Sequence, residues 1–577
     1  MSKQSQINLS GVPALLRPLI KFIINEPKMS AWYQEWLTTD ERSVQKFLAF
    51  VLEKLDVNVR FISNEKEGRI PKSGPLVIVA NHPLGAVEGI ILSHYLLAFR
   101  PDLKVITNKL LLCFEEFKEL FIGVDVLSKN RCNKLPVKMM NQHLKNNGAL
   151  LIFPAGTVGE YNVKTNQVDD APWQHTAAKL ALKHNAQCLP IHIEGRNERR
   201  FYFAKRIHKR LRTLLLPRAM MKSGKYPISV CVGNPFSLSD IGIDTMQTAT
   251  EYLKASCDIM GADKTTRLTR RIEAQIPDID APVSMDFLED YVLLRQRHVT
   301  VYSVPFNALG PLAEHLATQR EKTFRKAGEG TGKSIDFDIF DEHYQHILAW
   351  DTEKNRLIGG YRACRVNSTF TNASPISLYS RSLFYYDERF IKQFSSAIEV
   401  GRSFVCEEYQ GDPRALDMLW QGLGAYMLQH PDCHTFIGCV SISQSYAPLI
   451  RELFYDTLLA GYSADDSQKA GVVPNKPFKT QPSHWSQKLV MQLSNVSAVN
   501  KLLGFSGLDI RVPVLIRHYL SLNGRFIDFS INEGFNNSLD GLIVVDLRQA
   551  PERYLKRYLG EEGRYVFLKR WGKQDAA

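Results

Sequence analysis

His82 and Glu88 lie six residues apart in the run Asn81-His82-Pro83-Leu84-Gly85-Ala86-Val87-Glu88-Gly89. On a continuous helix they would face different sides, at roughly 100° per residue. Pro83 and Gly85 force a turn instead, and a turn can aim both side chains at one spot. An imidazole whose second ring nitrogen is held by a carboxylate is a prepared general base for a hydroxyl or an amine. A histidine that merely sits at a turn is the bland alternative, and this run alone leaves it open.

The neighbouring residues say what must position that pair. Pro75 to Ala80 is an apolar run that reads as a buried strand, and Ile90 to Phe99 reads as a mostly apolar helix. A second strand-like run, Gly148 to Phe153, ends in Pro154-Ala155-Gly156-Thr157-Val158-Gly159, so that Phe153 follows His82 by 71 residues. Alternating strands and helices over 70–236 imply a layered α/β domain. Helical spacing marks Val12–Ile24 and Ser43–Leu55, and a more polar helical stretch runs from Ser237 to about Asp280. Pro277-Asp278-Ile279-Asp280-Ala281-Pro282 reads as a boundary. The expected division is a helical region over 1–60, an α/β domain over 61–280 and an α+β domain over 281–577.

The Asn-His block ending in an acid, with the Phe153-Pro154-x-Gly156-Thr157 block after it, resembles the glycerolipid acyltransferase superfamily. Asp169, Asp170 and Trp173 follow, then Cys188 to Ile193 and Val230 to Pro235, at the spacing of that family's later strands. The resemblance covers about 60–240. It implies His82 as base, Glu88 as its orienting acid, and Asn81, Phe153, Pro154, Gly156 and Thr157 around the substrate. Two departures matter. The common pattern has an Asp five residues after the His, but position 87 is Val and the acid is Glu88. A charged pair associated with phosphate-bearing acceptors is replaced by Ala155 and Val158. This is similar to the branch of putative hemolysins and ornithine-lipid O-acyltransferases. A phosphate site wants Arg, Lys or a nest of amides, so the lost charge points the same way.

The second half carries other chemistry. Arg320-Glu321-Lys322-Thr323-Phe324, then Asp336, Asp338 and Asp341, Gly360-Tyr361-Arg362, and Glu399-Val400-Gly401-Arg402 occur in that order. Over about 300–450 this resembles acyl-carrier-dependent N-acyltransferases of the GNAT-like fold, which include acyl-homoserine-lactone synthases and ornithine N-acyltransferases. The resemblance implies Glu399 orienting or deprotonating an α-amine and Arg402 holding a carboxylate, with Arg320, Phe324 and Arg362 around the substrate. The three acids would suit a side-chain cation, hence ornithine or lysine over glycine or serine. A solvated turn for the acids and a structural ion pair for Glu399 with Arg402 remain open. Asp-x-Asp-x-x-Asp hints at metal, but the later ligands of a calcium loop are missing. Ala327-Gly328-Glu329-Gly330-Thr331-Gly332-Lys333-Ser334 ends like a phosphate loop, yet its spacing fails and no strand precedes it. A mobile loop is expected there.

Together the two resemblances imply synthesis of an ornithine-type aminolipid. The C-terminal domain would N-acylate an amino acid from a 3-hydroxyacyl carrier protein, and the N-terminal domain would O-acylate the 3-hydroxyl. The alternatives are a lysophospholipid acyltransferase with a regulatory C-terminal module, and a non-catalytic hemolysin-like membrane-binding protein. No metal or other cofactor is expected beyond the acyl carrier donor.

Composition bounds these readings. The 577 residues are too many for one core. No stretch of about 18 uninterrupted apolar residues occurs, and the N-terminus lacks a signal-peptide pattern. Nine cysteines without a CxxC pair suit a reducing cytosol. Between Arg196 and Lys225 stand eleven Lys/Arg and one acid, a net +10 of the chain's +12, interleaved with Phe, Tyr, Leu and Met. That mixture suits an anionic membrane surface. A basic cap on the domain stays open, and no nucleic-acid motif accompanies it. The expected location is the cytoplasmic face of the inner membrane.

Overall fold

Strands without a polar residue on either face must lie between two covering layers. Leu76–Ala80 (β2) and Ala149–Ile152 (β5) are such strands, buried along their whole length. A computed structural model describes residues 26–40, 42–62, 70–108, 112, 114–124, 134–163, 167–198, 200–202, 209–262, 273–279, 284–369, 378–478 and 484–572. The expected helix Val12–Ile24 lies outside them. The chain separates into two compact units. One is Met1–Lys264 with Trp485–Leu489 and Ser497–Arg511; the other is Thr265–His484 with Val490–Val496 and Val512–Ala577.

The first unit is built on an eight-stranded sheet with the order β1-β9-β8-β2-β5-β3-β4, and β10 added beside β8. Its remaining strands are Val59–Ile62 (β1), Lys104–Asn108 (β3), Phe121–Val124 (β4), Gln187–Glu194 (β8), Ile228–Val232 (β9) and Phe236–Ser237 (β10). Glu160–Asn162 (β6) and Gln167–Asp169 (β7) form a separate small ribbon. The ladders are parallel except where β8 meets β9 and β10. Helices Glu26–Trp36 (α1), Val44–Leu55 (α2), Val87–Leu97 (α3), Lys134–Lys145 (α4), Thr176–His184 (α5), Lys209–Met220 (α6) and Met246–Ala262 (α7) accompany it. Trp36 of α1 and Phe47 of α2 join Leu76, Ile78 and Leu92 in one core. Residues 26–40 and 42–60 are therefore part of this unit rather than a region apart.

The boundary at 277–282 also fails to contain this unit. The helix Val496–Phe505 returns to it, with Phe505 stacked on Phe236 at 4.6 Å. Asn234 donates from its backbone N to Phe505 O (2.8 Å) and from Nδ2 to Gly504 O (2.7 Å). Local composition cannot announce a segment that crosses back 270 residues later.

The second unit has an eight-stranded sheet with the order β11-β12-β13-β14-β16-β17-β20-β19. The strands are Val292–Gln296 (β11), Val299–Pro305 (β12), Gln345–Asp351 (β13), Arg356–Arg365 (β14), Ala397–Val405 (β16), Thr435–Ile442 (β17), Arg525–Asn532 (β19) and Ser538–Asp546 (β20). Phe384–Tyr386 (β15) and Val472–Pro474 (β18) pair separately. Helices Leu312–Lys326 (α8), Pro413–Gln429 (α9) and Pro448–Tyr462 (α10) belong to this unit. All the ladders are antiparallel except β16–β17, which is parallel and pairs only Ala397–Glu399 with Thr435–Ile437. Gly438 explains the short ladder's tightness, since a Cβ there would lie 2.1 Å from Val400 O. Beyond it β16 pairs with β14 and β17 with β20, so the two central strands part. The α+β architecture expected for this half, and the α/β architecture of the first, are what the chain adopts.

Candidate active sites

Neighbouring parallel strands end side by side, so whatever follows them converges. In the first unit β2 pairs with β5, Val79 opposite Ile152, and the turns after both strands meet. Gly159 N donates to His82 O at 2.8 Å. Gly85 has φ +106 and no room for a Cβ, which would sit 2.6 Å from Val158 and 2.3 Å from Leu216 of α6. The two blocks separated by 71 residues thus form one surface.

His82 Nδ1 lies 3.0 Å from Glu88 Oε1, with the histidine side chain 16% and the glutamate 0% exposed. The approach is close but off the hydrogen-bonding line, so the two groups face each other without a formed hydrogen bond. The same Glu88 oxygen accepts the amides of Leu84 (3.0 Å) and Gly85 (2.6 Å), which ties the turn to the first turn of α3. Burial, the largest influence, pushes the Glu88 carboxyl up; His82 and the amides more than offset it and hold it below its ordinary value. Phe153 packs against the imidazole at 4.7 Å. Asp170, raised by its burial, accepts His82 N (3.0 Å) and Trp173 Nε1 (2.9 Å), and so fixes the turn from its other side.

The remaining expected residues divide. Asn81 is committed to the backbone: Nδ2 donates to Ile193 O (2.8 Å) and Oδ1 accepts Ile193 N (2.7 Å). Its side-chain amide extends the β2–β8 ladder, a structural duty rather than the substrate contact expected. Pro154 is buried, and its carbonyl accepts Gln174 N at 2.9 Å. Gly156 (φ +64) and Thr157 are exposed beside the histidine turn.

In the second unit the acids do not await a substrate cation. Asp336 takes Arg320 Nε (3.0 Å) and lies 3.0 Å from Arg402 Nε. Asp341 takes Arg320 Nη1 (2.7 Å), and Asp338 takes Arg362 Nη1 (2.6 Å) and Arg402 Nη2 (3.2 Å). Three carboxylates alternate with three guanidiniums, so the charge that favoured a diamino acid is compensated within the protein. Burial pushes the Asp336 and Asp341 carboxyls up, and Arg320 with the other guanidiniums pulls both below the usual range. The network is neither a solvated turn nor a metal loop. Phe324 sits in the core and packs edge-on against Phe535 at 5.0 Å; Arg402 stacks on Phe535 (4.8 Å) and Tyr379 (4.9 Å).

Glu399 is 2% exposed and closed in by its neighbours. Its Oε1 accepts Ser380 N and its Oε2 accepts Ser380 Oγ, both at 3.0 Å. Burial raises its carboxyl to about 7 despite these donors. Arg402 Nη1 donates to Tyr379 Oη at 3.3 Å, and Tyr379 Oη also accepts Asn532 Nδ2 at 3.0 Å. Glu399 thereby holds the turn that presents Tyr379. Arg402 is occupied by Asp336, Asp338 and Tyr379, so it would have to exchange partners to hold a substrate carboxylate.

The glycine-rich loop is pinned, contrary to the mobility expected of it. Glu321, buried in α8, accepts Thr331 N (3.1 Å), Thr331 Oγ1 (2.8 Å) and Gly332 N (2.9 Å). Gly328 O accepts Ser443 Oγ (3.1 Å) and Asn536 Nδ2 (2.9 Å). Gly328, Gly330 and Gly332 all have φ between +75 and +94. Sequence reasoning passed over Glu329 in this loop, and also Tyr379, Ser380, Asn532 and Asp540. A lone carboxylate between glycines was the one signal in the chain that could have flagged the first of them.

Of the basic stretch, Arg196, Glu198, Arg200, Phe201, Leu215, Arg218 and Lys222 line a cavity of about 210 Å³. Glu198 pairs with both Lys222 (2.8 Å) and Lys225 (3.0 Å), so part of the local charge is spent inside the protein. Residues 199 and 203–208 lie outside the described ones. Among the described residues no helix is long and apolar enough to cross a membrane.

Comparison with known proteins gives a family for each unit. Residues 41–261 match the family described as "Acyltransferase", and 319–421 match the "Acetyltransferase (GNAT) domain". A glycine N(alpha)-acyltransferase of Phocaeicola vulgatus is 26% identical over 304 residues, 49% of this chain and 92% of that protein. A lyso-glycine lipid O-acyltransferase of the same organism is 23% identical over 231 residues, 39% of this chain and 79% of its own. An L-ornithine N(alpha)-acyltransferase of Agrobacterium fabrum is 26% identical over 258 residues, 42% of this chain and 78% of its own.

Proposed function

We propose that this chain, an acyltransferase with an Acyltransferase-family domain and a GNAT domain, makes a doubly acylated amino-acid lipid in two steps. The second unit forms an amide between a 3-hydroxyacyl group, delivered as a thioester on an acyl carrier protein, and the α-amine of an amino acid. The first unit then esterifies the 3-hydroxyl with a second acyl chain. The observation that carries the reading is the convergence of His82, Glu88 and the Pro154–Gly159 turn at the ends of β2 and β5. It is supported by relatives named for N-acylation and for O-acylation of a lyso-lipid, each similar to less than half of this chain.

In the ester-forming step His82 accepts the proton of the 3-hydroxyl as its oxygen attacks the thioester carbonyl carbon. Glu88 steadies the imidazolium, the C–S bond breaks, and the proton passes to the leaving thiolate. The uncharged Ala155 and Val158 beside the turn suit an acceptor that carries no phosphate. Because the three acids are internally paired, they do not select ornithine over glycine, and the acceptor is an α-amino acid recognised by its amine. The intermediate has one acyl chain and stays at a lipid surface, so joining both activities on one chain raises its effective concentration.

Mass spectrometry of lipids from a host expressing the chain tests this directly. The wild type should yield a diacylated amino-acid lipid, and His82→Ala should accumulate the N-monoacylated species. Loss of both species in a well-expressed His82→Ala protein would overturn the order of steps.

A further inference from the structure

Amide formation needs a base for the α-ammonium, and Glu399 is poorly placed to be one. Both of its oxygens accept from Ser380, and it lies in the part of β16 that is still paired with β17. The other buried carboxyls of this region, Asp336 and Asp341, are bound to guanidiniums. Asp540 accepts Ser538 Oγ (2.6 Å) and Asn532 Nδ2 (2.8 Å).

Glu329 is different. It stands on the loop after α8, which Glu321, Ser443 and Asn536 hold in one conformation. The adjoining Gly328 O is bonded to Ser443 just past the end of β17 and to Asn536 just before β20, which sets the Glu329 carboxyl among Asp540, Ser441 of β17 and Arg402 of β16, the groups that act on it. Ser441 belongs to the stretch of β17 that has left β16, and Arg402 to the corresponding stretch of β16, where φ is +49. The loop therefore delivers a carboxyl to the opening between the two central strands, and Glu329 keeps some solvent exposure there. Parting strands leave backbone amides that an extended, amide-bearing thioester arm can pair with.

We propose that Glu329, and not Glu399, is the catalytic base of N-acyl transfer, with Ser441 orienting it; this rests on the N-acylation reading above. The ammonium gives one proton to the Glu329 carboxylate, and the amine attacks the thioester carbonyl carbon. The C–S bond breaks, the second nitrogen proton passes to the leaving thiolate, and Glu329 returns its proton to water. Burial, with repulsion from Asp540, raises the Glu329 carboxyl to about 8, while Ser441 and Arg402 pull the other way. A base near 8 is well matched to an ammonium donor, because neither partner holds the proton too firmly.

The test is kcat for amide formation against pH, using the full chain, a 3-hydroxyacyl carrier protein and an amino acid, over about pH 6 to 9.5. The wild type should show a rising limb near pH 8. Glu329→Gln should lower kcat by about 10²–10⁴-fold and lose that limb. Glu399→Gln should lower the rate but keep it. Wild-type melting of the full chain in Glu329→Gln, with ester formation from a supplied N-(3-hydroxyacyl) amino acid unchanged, controls for folding of both units. Retention of rate and limb in Glu329→Gln, with the limb lost in Glu399→Gln, would overturn the assignment. A wild type that forms esters but no amide with any amino acid would overturn the N-acylation reading itself.

Discussion

Glu88→Gln separates what the buried carboxylate does for the turn from what it does for the histidine. The substitution keeps the side chain's shape and one carbonyl acceptor for the amides of Leu84 and Gly85. A hydrogen bond to a charged group contributes about 1.5–3 kcal/mol and a neutral one about 0.5–1.5. Two weakened bonds therefore cost roughly 2–3 kcal/mol, and removing a fully buried charge offsets much of that. Glu88→Ala instead leaves both amides unpaired, at about 1–3 kcal/mol each. The glutamine protein should thus melt close to wild type, and the alanine protein several degrees lower. Ester formation should fall about 10²–10⁴-fold in Glu88→Gln, because the carboxylate that faces the ring's Nδ1 is then gone. The folded carboxyl sits below its ordinary 4.5, so its contribution is present above pH 4.5 and fades as pH falls through the folded value. That acid-side loss should be missing from the glutamine protein. Calorimetry across pH, with acyl transfer to an N-(3-hydroxyacyl) amino acid, reads both effects. Turnover within about threefold of wild type would refute the orienting role, since a tenfold change is only about 1.4 kcal/mol.

The other perturbations are simpler. Gly85→Ala forces a side chain against Val158 and Leu216 at a backbone φ of +106, so ester formation should drop at least about tenfold with amide formation unchanged, read as the ratio of mono- to diacylated product. Glu399 is raised from 4.5 to about 7, so the folded state loses stability as pH climbs from 4.5 through 7; Glu399→Gln should flatten that slope in chemical denaturation. Reversal of Lys205, Arg206, Lys209 and Arg210 to Glu should release the protein from anionic vesicles at low salt. Each basic residue near such a surface contributes about 1 kcal/mol, and binding indifferent to both salt and reversal would place the membrane contact elsewhere.

The first site was nearly legible because its information is local. The Pro-Gly turn, the acid six residues after the histidine and the apolar strands before each block announce their own geometry. The bonding of Asn81 was not legible, because an amide that completes a ladder and one that binds substrate look alike in sequence; its partner is Ile193, 112 positions away. The same limit hid the charge network. Asp336, Asp338 and Asp341 read as an acidic patch until the fold brings in Arg320 from α8, Arg362 from β14 and Arg402 from β16. Glycine-rich composition suggested mobility, whereas three left-handed glycines and one buried glutamate fix the loop. Fold class survived in both halves because hydrophobic periodicity reports layers, and layers do not depend on which distant residue completes a pair.

On the proposed reading, the two sites differ in the way their nucleophiles require. An alcohol is far too weak an acid to ionise before attack, so its base must take the proton while the C–O bond forms. That calls for an imidazole with a fixed acid behind it, which His82 and Glu88 supply in a turn pinned by Asp170. An ammonium must lose its proton first and then attacks readily. A single carboxyl raised by desolvation suffices there, and the groups that act on Glu329 are Asp540, Ser441 and Arg402. His346, the histidine of the neighbouring charge network, is pushed down to about 4 by burial and makes its contact with the Asp341 backbone carbonyl. Buried beside Arg320 and Arg362, it stays neutral at the pH where an amine is acylated. Exchanging the two kinds of base should therefore fail in both directions: His82→Glu would offer a carboxylate to an alcohol, and Glu329→His an imidazole that burial and Arg402 keep from taking up an ammonium's proton. Each exchange is expected to abolish one product and spare the other, and lipid profiling of the two variants decides it. Diacylated product at wild-type level from either variant would show that the bases are interchangeable and that the division of chemistry between the units is not set by these side chains.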